Sequence, residues 1–84
     1  AEAGDGFADL IFTCGTGSRR IGVVIEIKRC AKPEDMYDCA DAALEQIERK
    51  RYTAYLDRLR CGRKCAYGIA FCRKDCAISG GVMT

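Results

Sequence analysis

The chain has 84 residues, of which 49% are apolar and 31% charged, with a formal net charge of +2. That is one small folded domain with a thin core, because a chain of this size buries only about 60% of the surface its unfolded form exposes, and no run of 18 or more apolar residues is present to cross a membrane. It has no histidine, which removes Ser-His-Asp and Cys-His catalysis, zinc sites that need imidazole, and any His-based proton transfer.

Ala8 to Thr13 is a short β-type run, Cys14 to Ser18 a turn, and Arg20 to Lys28 a stronger strand dense in Val and Ile. Two strands joined by a short glycine-rich turn form an antiparallel hairpin. Gly15-Thr16-Gly17 leads into a strand and offers no helix N-terminus to a phosphate, so it is expected to be a turn. Pro33, followed by Glu34, Asp35 and Asp38, marks a helix start. Met36, Ala40, Ala43, Leu44 and Ile47 then recur at helical spacing, and so do Tyr52, Tyr55, Leu56 and Leu59. At about 100° per residue the second stripe is rotated by more than a third of a turn from the first. One straight helix cannot bury both, so a helix to about Arg49 is expected, then a bend or break, then a second segment to about Arg60.

Cys61 to Lys64 is a turn, and Cys65 to Cys72 a continuous apolar strand expected to be central and buried. Arg73 to Asp75 is a polar turn, Cys76 to Ser79 a short last strand, and residues 79–84 a flexible tail. The expected architecture is α/β over a single domain 1–84, in the order β-β-α-(α)-β-β, with a small mixed sheet packed against helices. The absence of an initial Met makes the chain an expected piece of a longer protein.

Seven cysteines are present: Cys14, Cys30, Cys39, Cys61, Cys65, Cys72 and Cys76. The odd count, the periodic helix and strand signals and the lack of an export signal point to reduced thiols in a cytoplasmic protein. Cys61-x3-Cys65 and Cys72-x3-Cys76 resemble paired zinc ligands, but the knuckle spacing is C-x2-C and the segment between them reads as a strand. No zinc and no disulfide are expected. Charge is segregated as well. Glu34 to Glu48 holds six acids and no bases, whereas Arg49 to Lys64 holds seven bases and one acid, Asp57. The helix dipole explains the first block; the second can also contact a phosphate backbone.

Glu26-Ile27-Lys28 ends the second strand. Residues two apart share a face, so Glu26 and Lys28 project together, with Ile25 and Ile27 expected to face the other way into the core. A carboxylate and an ammonium emerging from so apolar a strand need a partner or a metal. If the hairpin pairs as expected, Asp9 joins Glu26 on the same face. Two carboxylates beside a lysine make a hard-cation site, suited to Mg²⁺ with water and phosphate oxygens completing the shell. A structural Glu–Lys pair is the plainer alternative.

These blocks resemble the PD-(D/E)XK nuclease superfamily, and more closely the nuclease-type domain at the C-terminus of bacterial proteins that begin with an AAA-type ATPase-like domain. The matching pieces are Gly6-Phe7-Ala8-Asp9-Leu10-Ile11, Val24-Ile25-Glu26-Ile27-Lys28, Ala42-Ala43-Leu44-Glu45-Gln46-Ile47 with Lys50 and Tyr52, and Tyr67 to Lys74. They span about residues 6–78. The resemblance implies a partial restriction-endonuclease-like core and a Mg²⁺- or Mn²⁺-dependent nuclease acting on nucleic acid, DNA before RNA. It implies that Asp9 and Glu26 bind the metal with the Ile27 carbonyl, that Lys28 acts on the attacking water, and that Gln46 orients the site. Lys50, Arg51, Tyr52 and Lys74 would contact nucleic acid. An upstream ATPase-like domain and a second copy of the chain are the expected protein partners, with no membrane. The superfamily core has a helix and a strand before the Asp that these 84 residues do not include, so a nuclease-fold interaction module without turnover is the alternative.

Overall fold

The computed structural model describes residues 2–3, 6–7 and 9–83, and the side chains of 9–52 and 54–83. Ala8, expected to open the first strand of the hairpin, lies outside the described residues. Two short strands, β1 (Glu2–Ala3) and β2 (Gly6–Phe7), pair with each other. The main sheet follows: β3 (Leu10–Cys14), β4 (Ile21–Arg29), β5 (Arg63–Cys72) and β6 (Asp75–Met83), in that spatial order. β3 and β4 form the expected antiparallel hairpin, with Leu10 opposite Ile25 and Cys14 opposite Ile21. β4 and β5 are parallel, so the chain must cross over between them. The crossover is α1 (Met36–Arg49) and α2 (Tyr52–Arg58). The result is the small mixed sheet against helices that the residue pattern implies.

The helix break falls where the two apolar stripes part. Arg51 sits in the left-handed region at φ 58°, an arrangement that costs a non-glycine residue about 1–2 kcal/mol. The turn brings Tyr52 and Leu56 into the core beside Ile47, and all three are fully buried. Val24 and Ala66 complete this cluster from the sheet. At the other end of α1 the packing is built from small residues, Ala40 against Ala70 and Ala77. Gly68 in β5 lies between the two clusters, and a Cβ there would run into the Ala40 carbonyl and lie 2.6 Å from the Leu44 nitrogen. α1 thus rests on bare backbone at this point.

The last strand differs from expectation. It runs on through Met83, with Gly81 opposite Ala66 and Met83 opposite Lys64, so the expected tail over 79–83 is paired strand. Ser-Gly-Gly has little strand propensity of its own; pairing along the whole of β5 supplies the order. Ser79 adds a staple, its hydroxyl donating to the Asp41 carboxylate of α1 at 2.5 Å.

Both helices pack on one face of the sheet. That face carries Ile11, Val24, Glu26, Ala66, Gly68, Ala70 and Ala77. The opposite face carries Leu10, Phe12, Ile27, Phe71, Ile78 and Val82, each 36–62% exposed, and no described element covers it. The expectation that Ile25 and Ile27 face the core is therefore reversed. The core is on the Glu26 side, Ile25 is half-buried and Ile27 is 45% exposed. The alternation was right, but β4 is apolar on both faces, so alternation did not say which one the helices cover. Among the described residues no helix is long and apolar enough to cross a membrane.

Candidate active site

Among the described residues Glu26 is the one charged side chain that is buried, at 4% exposure. β4 carries it under α1 because Val24 before it anchors the strand in the core. Both of its oxygens have donors. Gln46 Nε2 of α1 donates to Glu26 Oε2 at 2.6 Å, and the Asp9 backbone N–H donates to Glu26 Oε1 at 3.2 Å. Asp9 immediately precedes β3, and continuing the hairpin register sets it opposite Glu26. Its own carboxylate is fixed from below, Oδ2 accepting the Ile27 N–H at 2.7 Å. The two carboxyl groups lie close enough for each to bear on the other's charge. Lys28, two residues on along the same face, is half-buried and lends its positive charge to Glu26. Ile27 presents its N–H toward Asp9, and an extended residue turns its carbonyl to the same neighbouring strand. Asp9, Glu26, Ile27, Lys28 and Gln46 thus meet at one point.

Burial holds the Glu26 carboxyl above the ordinary glutamate range, and the adjacent negative charge of Asp9 pushes it further; the Asp9 N–H and Lys28 pull the other way. A raised carboxyl pKa means that the folded chain holds this proton more tightly than the unfolded chain does. Without metal, the stability this contributes is present at low pH and is lost as pH rises through and above the ordinary glutamate range. Glu26→Gln removes the titration. The decline of the urea midpoint between about pH 4 and pH 8 in EDTA should be shallower in Glu26→Gln than in wild type. Equal slopes would show that burial of Glu26 carries no charge penalty.

Tyr52, expected among the nucleic-acid contacts, is fully buried and so offers no contact surface. Its phenol is held neutral by burial and by the negative charges of Glu26 and Asp9, which makes it part of the floor beneath the carboxylates. The sequence signal for this was already present, since Tyr52 begins the second apolar stripe. Lys50 is half-buried and closes α1, its N–H donating to the Gln46 carbonyl at 3.0 Å. Arg51 and Lys74 are exposed. Lys74 lies in the β5–β6 turn, past Cys72, which is four residues or about 13 Å along the strand from Gly68, the residue beside Glu26. The structure gathers the carboxylate cluster and spreads the expected basic contacts around it.

The cysteines do not converge as paired zinc ligands would. Cys65 and Cys72 are seven residues apart on β5, about 23 Å, which sends the two C-x3-C pairs to opposite ends of the sheet. A hydrogen bond with the Cys30 thiol raises the Cys39 pKa, with desolvation adding to it, so the thiolate needed for nucleophilic or metal chemistry is disfavoured there.

The site fits a hard cation in donor type: two adjoining carboxylates beside a backbone carbonyl, where a bound cation would offset the burial and repulsion that raise the Glu26 pKa. A family model of the PD-(D/E)XK nuclease superfamily matches residues 1–80, which include the hairpin, both helices and β5. No curated protein and no solved structure matches the chain. On the strength of that match over nearly the whole sequence, the chain belongs to the PD-(D/E)XK nuclease superfamily.

Proposed function

We propose that this chain is a metal-dependent nuclease domain that hydrolyses phosphodiester bonds of nucleic acid, with DNA the expected substrate, as the C-terminal part of a protein with an ATPase-like domain. The observation that carries the proposal is the contact between Asp9 and Glu26, held in register by Gln46 and the Ile27 N–H with Lys28 alongside. Asp9, Glu26 and the Ile27 carbonyl would hold Mg²⁺ or Mn²⁺, which supplies water activation and neutralisation of phosphoryl oxygens when bound. Gln46 keeps the buried carboxylate of Glu26 turned toward Asp9. Lys28 would stand beside the attacking water, where its ammonium could orient that water or offset the charge that develops, and its neutral amine could take the proton.

Cleavage by the longer protein should require Mg²⁺ or Mn²⁺ and stop in EDTA. Independently of activity, Mg²⁺ should raise the unfolding midpoint of wild type and leave Glu26→Gln unmoved, because only a folded site that binds the ion gains from it. Metal-independent cleavage, or equal Mg²⁺ shifts in both proteins, would overturn the assignment. The alternative, a nuclease-fold interaction module without turnover, draws on the size of the donor set: among the described residues no three acidic or cysteine side chains gather around one point. Failure of the longer protein to cleave any DNA or RNA would favour that module.

A further inference from the structure

At the other end of β4 from Lys28, two turns meet. One is the β3–β4 connection, with a single 3-10 turn at Gly17–Arg19. The other is the short link from α2 to β5. They are tied by the Arg20 carbonyl, which accepts the Gly62 N–H at 2.8 Å and the Arg63 N–H at 3.3 Å. A Cβ on Gly62 would run into the Ser18 carbonyl, so the turns are as close as backbone allows. Between them lies a cavity of about 320 Å³ lined by Ser18, Arg19, Arg20, Ile21, Gly62 and Arg63.

The lining residues include three arginines and a serine, and no acid. Arg20 is fixed, its Nη1 donating to the Leu59 carbonyl at 2.8 Å. Asp57, the one acid between Arg49 and Lys64, is paired with Lys64 at 2.6 Å. Three like charges around one cleft whose lining holds no acid repel one another, and an oxyanion relieves that repulsion while accepting from fork-shaped donors.

We propose that this cleft binds a phosphate group, and that its source is a backbone phosphate of the nucleic acid on which the Glu26 site acts. The nucleic-acid source rests on the proposed function; the anion site rests on the cleft alone. Ile21 and Glu26 are five residues apart on β4, about 17 Å. Along B-form DNA that is about five base pairs at 3.4 Å each, within one bound duplex.

The test uses Arg19→Ala/Arg63→Ala, both exposed positions, and two probes. With a fluorescent 20-base-pair duplex in EDTA, the double variant should bind about tenfold more weakly at 0.1 M salt. Its slope of log K against log salt should be smaller by about one, the signature of one lost phosphate contact. With inorganic phosphate at constant ionic strength, the amide resonances of Arg19, Arg20 and Gly62 should shift saturably in wild type and not in the variant. Shifts with phosphate but an unchanged duplex slope would overturn the nucleic-acid source. No shift and no change of slope would overturn the site. If wild type neither binds nor cleaves nucleic acid but its amides still respond to phosphate, the proposed function fails and the anion site stands.

Discussion

Lys28→Ala should reduce metal-dependent cleavage by about 10³-fold while leaving the fold and Mg²⁺ binding intact. The size follows from the role: a positioned acid–base or charge-offsetting group contributes about 10²–10⁴ in rate. Lys28 is half-buried near the end of β4, outside both core clusters, so its truncation opens no cavity. Lys28→Arg should not restore the rate, because a guanidinium stays protonated and its planar head does not occupy the place of an ammonium. The decisive measurement is single-turnover cleavage at saturating metal, with the Mg²⁺-induced rise in unfolding midpoint as the check on binding. Wild-type rates in Lys28→Ala, or rescue by Arg, would remove Lys28 from the mechanism.

Gly68→Ala should have the largest effect on stability, about 3 kcal/mol, at the upper end of what an added methyl does in a packed interior. The atoms that a Cβ would meet are the Ala40 carbonyl and the Leu44 nitrogen, both backbone of α1, and backbone cannot swing aside as a side chain can. A domain of 84 residues has roughly 4–13 kcal/mol in total, so the loss is a large fraction of the whole. Gly68 is also the β5 residue beside Glu26. Lifting α1 there draws Gln46 off the Glu26 carboxylate, and activity should fall before the chain unfolds. Urea unfolding within 0.5 kcal/mol of wild type would show that α1 does not bear on the sheet at this position.

The paired carboxylates were legible because two short-range rules meet in them. Strand alternation fixes which residues share a face, and a tight hairpin fixes which residues stand opposite, so Asp9 and Glu26 could be placed without knowing the rest. Gln46 came from the family resemblance of the Ala42–Ile47 block. The reversal at Ile27 shows where those rules end. Whether a face is covered depends on where α1 crosses, and nothing local to β4 records that. Tyr52 is a different case: it begins the second apolar stripe, which marks it as core, and the left-handed turn at Arg51 sets that stripe inward even though its neighbours Lys50 and Arg51 are basic. The arginine cleft joins side chains more than 40 positions apart in the chain, through a backbone contact that no spacing encodes.

The uncovered face of the sheet has a thermodynamic consequence. Leu10, Phe12, Ile27, Phe71, Ile78 and Val82 keep much of their water in the folded chain and give up little on unfolding. The heat-capacity change of unfolding tracks newly wetted apolar surface. For these 84 residues it should therefore fall short of the roughly 1.0–1.3 kcal/mol/K typical of the length. A radius of gyration of 13.1 Å, against about 12 Å for a compact chain of this size, fits the same two-layer slab. A small heat-capacity change flattens the curve of stability against temperature. The domain holds what stability it has across a wide span of temperature, with no sharp optimum.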